Sequence, residues 1–227
     1  MSCCPTISRR NFLEGVATSA LIVAVSNFAF ISPARAQTTL TPDGALKRMM
    51  DGNRRFVAHS LTAFDQDLAI IRQNTEEKQE PFAAVLSCAD SRVPVEIVFD
   101  ESIGHLFVAR VAGNVATPDI IASLEYGAIV VGTPVILVLG HGQCGAVKAA
   151  IAAKEVPGQI SVLYAPLRAA VDRAGPNLEA AIKANARIQA KMLSDASPVL
   201  AGLIKQGRLK IVAAYYELVS GKVELLG

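Results

Sequence analysis

Two short stretches carry residue types that do metal chemistry. Cys88-Ala89-Asp90-Ser91-Arg92 follows the apolar run Phe82 to Leu86, and His141-Gly142-Gln143-Cys144 follows the apolar run Pro134 to Leu139. Each run reads as a buried strand, so each stretch falls where a strand hands over to a helix. In open α/β sheets, ligands collect at those carboxyl ends. If the two strands are parallel neighbours, two thiols, an imidazole and a carboxylate converge, which are ligand types that Zn²⁺ takes in a tetrahedral site. His141 and Cys144 stand three apart at the start of a helix, a spacing that turns both side chains to one point. The helix N-terminus favours Cys144 as a thiolate, and Gly140, Gly142 and Gly145 leave the backbone free to approach an ion. Cys88 and Asp90, two apart on an extended turn, point the same way, and Arg92 is placed to pair with Asp90 and keep it ionised. The competing reading of the two cysteines is a structural disulfide, which an exported chain can form. It accounts for neither the Asp90–Arg92 spacing nor His141.

At these residues the sequence resembles the β-class carbonic anhydrases, whose zinc motif is Cys-x-Asp-x-Arg followed further on by His-x-x-Cys. The likeness extends through Ser123-Leu124-Glu125-Tyr126-Gly127-Ala128, Leu137-Val138-Leu139-Gly140-His141, Cys144-Gly145-Ala146-Val147 and Gly221-Lys222-Val223, and covers Thr41 to the C-terminus. The resemblance implies a Zn²⁺ cofactor on Cys88, His141 and Cys144, with the fourth position left for water. It implies reversible hydration of carbon dioxide to bicarbonate and a proton by a zinc-bound hydroxide. Asp90 would orient that hydroxide and Arg92 would hold Asp90; in a closed state Asp90 itself becomes the fourth ligand. Gln79 matches a family residue that bonds the substrate oxygen, and Phe107 and Tyr126 match aromatic residues lining a narrow apolar cavity. From the residues alone, Phe107 and Tyr126 read equally as core, and Gln79 as a solvated loop amide.

The elements that must position these residues can be read in order. Thr41-Pro42-Asp43 supplies a cap and a helix-start proline, with Leu46, Met49, Met50, Phe56 and Val57 near helical spacing. A second helix is expected over Phe64 to Glu76. The two helices either form an arm that packs across a partner, as the resemblance implies for a homodimer or higher homo-oligomer, or cover their own sheet. Strands at Ala83–Ser87, Leu106–Val111 and Val135–Leu139 alternate with helices at Val95–Phe99, Pro118 to about Val130, and Gly145–Ala153. A long helix over Asn177–Ser194 follows the loop and helix of Pro157 to Gly175, and Ser197-Pro198 caps another that stops at Gly207. Leu209–Leu218 and Val223–Leu226 read as an edge hairpin turning at Ser220-Gly221. The fold class is therefore α/β: a mostly parallel central sheet flanked by helices, with an N-terminal helical arm and a C-terminal edge hairpin.

The first residues read as a leader. Ser8-Arg9-Arg10-Asn11-Phe12-Leu13 is a twin-arginine motif, an apolar stretch from Val16 to Ile31 follows, and Ala34-Arg35-Ala36 is a small-residue cleavage site. The stretch is short for a membrane span and contains Thr18, Ser19, Ser26 and Asn27, so residues 1–36 are expected to be a signal peptide and 37–227 the folded domain. The mature protein would be periplasmic or secreted, with no stable membrane span. Removing the leader takes away Arg9, Arg10, Arg35 and Glu14, so 22 basic and 20 acidic side chains become 19 of each. That neutrality, with no basic run and no Trp, argues against nucleic acid as a partner. Cys3 and Cys4 leave with the leader, so Cys88 and Cys144 are the cysteines that remain.

Of the three histidines, His59 falls at a solvent-exposed helix end and His105 in a loop before a strand, where a structural role is expected; neither has the spacing of His141 to Cys144. Other readings compete with carbon dioxide hydration. One is a hydrolase of carbonyl sulfide or carbon disulfide, since the same hydroxide attacks either. Another is a non-enzymatic zinc-binding or thiol-redox protein whose metal has no open position. The last is a metal-free interaction protein that uses the disulfide.

Overall fold

The computed structural model describes residues 38–63 and 79–227. Within them the apolar runs form a five-stranded sheet of β1 (Ala83–Ser87), β2 (Leu106–Arg110), β3 (Val135–His141), β4 (Lys210–Tyr216) and β5 (Val223–Leu226). The order is β2-β1-β3-β4-β5. The first four strands are parallel, and β5 returns antiparallel to β4 through the turn at Gly221. Every residue of β1 and β3 is buried. Helices cover both faces, which is why these strands are unbroken apolar runs and not alternating ones.

On one face lie α1 (Pro42–Val57) and the single turn α2 (Val95–Val98). Ala45, Leu46 and Met49 of α1 pack with Val85, Phe99, Leu137 and Leu139, so α1 covers its own sheet. The opposite face carries α3 (Pro118–Tyr126), α4 (Gly145–Ala152), α5 (Tyr164–Ala174), α6 (Leu178–Ala196) and α7 (Pro198–Lys205). Leu124, Val147, Leu167, Ile182, Leu193 and Leu200 form that layer with Leu86, Ile136 and Val138. Side-chain caps start three of the helices: Thr41 accepts from Gly44, Asn177 from Ala180 and Ser197 from Leu200, each contributing about 1 kcal/mol. No described helix is long and apolar enough to cross a membrane.

Two elements differ from expectation. The strand expected to end at Leu139 continues through His141, because Gly140 pairs with Tyr215 and His141 with Tyr216 on β4. The apolar run breaks at Gly140 for a packing reason: a Cβ there would meet the Ile182 side chain at 3.0 Å, so only glycine lets α6 lie this close. The helix expected to reach about Val130 is an α-helix only to Tyr126; its last turn, Gly127–Val131, is a π-helix ending at Gly132 in the left-handed region, φ 88°. Hydrophobic spacing does not separate these two windings. The helix expected over Phe64 to Glu76 and the expected leader lie outside the described residues.

Gly52 on α1 faces the backbone of Phe99, and a Cβ there would sit 1.7 Å from the Phe99 carbonyl oxygen. Gly52→Ala gains about 1 kcal/mol of helix propensity, yet must push α1 off a backbone that cannot rotate away. A net loss of about 1–3 kcal/mol in urea unfolding is expected. A variant as stable as the parent would show that α1 shifts without cost.

Candidate metal centre

The sheet order places β1 at its switch point. The chain leaves β1 for β2 on one side and returns to β3 on the other, which opens a crevice beyond the carboxyl ends of β1 and β3. Ser87 pairs with Leu139, so Cys88 and His141 leave the sheet side by side at that crevice. His141 is the last residue of β3 and Cys144 the N-cap of α4. The expected helical spacing of this pair is therefore replaced by a strand end and a helix cap joined by a tight turn. Gln143 takes the left-handed conformation in that turn, φ 55°.

Cys88 Sγ, His141 and Cys144 Sγ offer ligand atoms that all lie within 4.8 Å of one another, and all three residues are buried. Both thiols are free cysteines. His141 Nδ1 lies 2.9 Å from the Gly142 carbonyl oxygen; as the donor there, it leaves Nε2 as the lone-pair nitrogen. That Nε2 is buried with no hydrogen-bond partner, an arrangement that costs free energy unless something binds it. Two sulfurs and one aimed imidazole nitrogen match the donor chemistry of Zn²⁺, and the Gly142 carbonyl is the outer partner such a histidine needs. The residues present fit the ion.

Charge in the cluster is arranged for the same end. The Cys144 thiol donates toward Cys88, and with the Gly113 amide this holds Cys88 well below the ordinary thiol range, against the opposing effect of burial. Cys144 is pushed above it by that shared hydrogen bond and by burial, against the amides of Val147 and Ala146 at the start of α4. A cation bound between the sulfurs would displace thiol protons.

Asp90 and Arg92 flank the cluster. Arg92 donates from Nε to Oδ1 at 2.9 Å and from Nη2 to Oδ2 at 2.7 Å, and its backbone amide reaches Oδ1 at 2.9 Å. These bonds hold the Asp90 carboxyl well below the usual carboxylate range, the Arg92 side chain being the largest cause. Oδ2 is left 3.9 Å from His141 Nε2. Arg92 also reaches the Gln143 carbonyl at 3.3 Å, tying the two motif turns together. Arg110 clamps the first turn, donating to the carbonyls of Cys88 at 2.9 Å and Asp90 at 2.6 Å.

Arg110 and Gly113, whose amide donates to Cys88 Sγ at 3.3 Å, are participants that motif spacing does not reveal. Parallel pairing of Arg110 with Ser87 is the signal that brings them here. Gln79 is an exposed loop residue ahead of β1, at the other end of the sheet from Cys88. Phe107 pairs with Ala84, four residues short of Cys88, or about 13 Å at the usual strand rise. Tyr126 lies near it, ring centroids 6.3 Å apart, and is 49% exposed. Within one protomer these three are not brought into the cluster. His59 is exposed at the end of α1 with φ 55°, and His105 Nδ1 lies 3.2 Å from both Glu101 and Arg48 in a separate network.

The fold and the site define a mostly parallel α/β protein with a buried Cys–His–Cys cluster that could hold a metal ion at the sheet's switch point. The sequence model of the carbonic anhydrase family matches residues 83–223. A carbonic anhydrase of Mycolicibacterium smegmatis is 35% identical over 195 residues, covering 81% of this chain and 93% of that protein. Among solved structures, the Coccomyxa β-carbonic anhydrase in complex with acetazolamide superposes with a TM-score of 0.63 at 25% identity, over 80% of this chain and 86% of its own. One of two tetrameric β-carbonic anhydrases of Sordaria macrospora gives 0.60 at 21% identity, over 70% and 90%. The chain belongs to the carbonic anhydrase family, in its β class.

Two expectations follow from the geometry. Cys88→Ser and Cys144→Ser should each lose most of one zinc per chain in metal analysis of the purified protein; full occupancy in both would remove the ligand assignment. The Asp90 carboxyl is depressed in the folded state, so its pairing stabilises the fold above the ordinary carboxylate range, near pH 4, and that contribution is lost as pH falls through the folded value. The stability gap between wild type and Arg92→Ala should therefore be full at neutral pH and shrink in acid. A gap unchanged by acid would contradict the pairing.

Proposed function

We propose that this protein is a zinc-dependent carbonic anhydrase that interconverts carbon dioxide and bicarbonate. The observation that carries the reading is the buried His141 Nε2, unpartnered, beside two thiols and facing a carboxylate held by arginine. Cys88, His141 and Cys144 hold the ion. Bound there, zinc supplies a hydroxide at neutral pH by lowering the pKa of water to about 7. Asp90 stays ionised because Arg92 forks onto it. Asp90 Oδ2, turned toward His141, would accept a hydrogen bond from a water or hydroxide held at that centre and so set its direction. Arg110 and Arg92 fix the turn that carries Asp90, so its direction is set before substrate arrives. A hydrolase of carbonyl sulfide or carbon disulfide has less support, since the relatives described above bear the name carbonic anhydrase. A disulfide between Cys88 and Cys144 would leave His141 Nε2 without a partner.

The protein acts as a homo-oligomer, a dimer or larger. Gln79, Phe107 and Tyr126 stand apart from the cluster of their own protomer, so a second protomer supplies them to the pocket. The outermost position of β2 in the described sheet and the exposure of Tyr126 support this. Residues 1–36 are a twin-arginine leader cut after Ala36, and the mature protein is periplasmic or secreted. The support is the Arg9-Arg10 motif, the apolar stretch behind it and Ala34-Arg35-Ala36.

Asp90→Asn separates a catalytic from a purely structural zinc. It preserves size but not the charge that accepts the proton, so zinc content should survive while hydration falls by orders of magnitude. A variant that holds zinc and hydrates carbon dioxide at the parent rate would refute the role given to Asp90. For export, Arg9→Lys combined with Arg10→Lys should leave folded precursor in the cytoplasm; normal secretion of that double variant would overturn the leader.

A further inference from the structure

The helix α6 carries two buried carboxamides, four residues apart, on a face that otherwise holds Ala181, Ile182, Ala186 and Leu193. Asn185 is 1% exposed and Gln189 2%. Buried amides on a packing face cost stability unless every bond is made, and these bond each other, Pro166 and, chiefly, the loop after β2. Asn185 Nδ2 donates to the Gly113 carbonyl at 2.9 Å and lies 3.5 Å from Asn114 Oδ1. Its own Oδ1 accepts from Gln189 Nε2 at 3.0 Å. Gln189 Nε2 also reaches the Pro166 carbonyl at 3.2 Å, and its Oε1 accepts from the Ala116 amide at 2.9 Å. The pair thus grips the loop after β2 at Gly113 and again at Ala116.

That loop delivers the Gly113 amide to Cys88 Sγ at 3.3 Å. Gly113 and Asn114 are successive residues in the left-handed region, φ 77° and 44°, and glycine by itself leaves the direction of its peptide groups open. On the strand side the loop is fixed by Val111, whose amide donates to Ser87 and whose carbonyl accepts from Ala89 and Asn114. On the helix side, the described bonds to Gly113 and Ala116 come from Asn185 and Gln189. A Cβ on Gly113 would also stand 3.3 Å from Ala146 and Leu167, so the loop cannot relax toward α4 and α5.

We propose that Asn185 and Gln189 are positioning residues for the metal centre: by holding the Gly113 carbonyl and the Ala116 amide they fix the backbone on the far side of Gly113, keep the N–H of the preceding peptide on the Cys88 sulfur, and so set how strongly that thiolate donates to the metal. The inference rests on the zinc reading above. An amide hydrogen bond withdraws charge from a ligating sulfur, and partners one step removed from a metal change affinity or activity by roughly 10–100-fold.

The test uses the full domain loaded with ¹¹³Cd²⁺ for NMR and with Zn²⁺ for kinetics. In the wild type, a cadmium resonance in the thiolate range should couple through the hydrogen bond to the Gly113 amide proton; absence of the resonance would overturn the metal site, whereas a thiolate resonance without the coupling would overturn this inference alone. Asn185→Leu keeps the volume and removes the donor. It should lose the coupling, shift the cadmium resonance, and lower kcat by roughly tenfold or more with KM little changed. Gln189→Met keeps chain length and leaves Asn185 in place; it should change the spectrum in the same direction by less, and supplies the comparison should Asn185→Leu be unstable. Asn53→Leu is the control for lost stability alone. Asn53 is equally buried and bonds Val98, Gly221 and Val223, away from the loop, so its variant should unfold more easily with an unchanged cadmium spectrum. A wild-type cadmium shift, coupling and kcat in Asn185→Leu or in Gln189→Met would overturn the proposal. So would the same spectral change in Asn53→Leu.

Discussion

Everything at the metal centre depends on one pairing, the parallel ladder between β1 and β3. It sets Ser87 beside Leu139, and from that register Cys88 and His141 reach the same edge although 53 positions separate them in the sequence. A slip of one residue would turn one of them to the opposite face of the sheet. The register is held by burial on both sides: Val85, Leu137 and Leu139 belong to the α1 layer, and Leu86, Ile136 and Val138 to the α6 layer. A packed core with no exposed face is thus what brings three ligand atoms within 4.8 Å. Gly140 adds the last constraint, since α6 lies against its bare backbone just before His141.

Around this frame the electrostatics are graded. The two arginines beside the cluster bind turns and a carboxylate. Arg110 binds the carbonyls of the first turn, and Arg92 binds Asp90 and the Gln143 carbonyl. The sulfur of Cys144 faces that of Cys88, and the imidazole presents a lone pair. A divalent cation bound there would replace a proton and satisfy the buried His141 nitrogen. Asp90 is the group whose role is directional. Its charge is stabilised from the solvent side, and its Oδ2 is turned toward His141.

Much of this was legible from sequence because the chemistry-bearing residues stand at, or a few positions beyond, the carboxyl ends of strands buried on both faces. Cys88, Asp90, Arg92, His141 and Cys144 all satisfy that condition, and a parallel sheet gathers such positions by topology. The residues that escaped do so for physical reasons. Gly113 acts through its backbone amide, which no residue-type pattern records. Asn185 and Gln189 interrupt an apolar helical face as polar residues would on a solvent side, and only tertiary packing shows that they point inward. The continuation of β3 through His141 was hidden because Gly140 breaks the apolar run for the sake of α6. Gln79, Phe107 and Tyr126 came from family resemblance alone, and a single protomer leaves them apart from the site.

The claim on which the rest stands is that this chain hydrates carbon dioxide at the Cys88–His141–Cys144 centre. Its most direct test is stopped-flow hydration by the zinc-loaded protein without residues 1–36, repeated after chelation and again after zinc is restored, with carbonyl sulfide and carbon disulfide run beside it. Hydration far above the buffer rate, lost with the metal, regained with it, and faster than turnover of either sulfur compound, is the expected result. One zinc bound per chain with hydration no faster than buffer would contradict it.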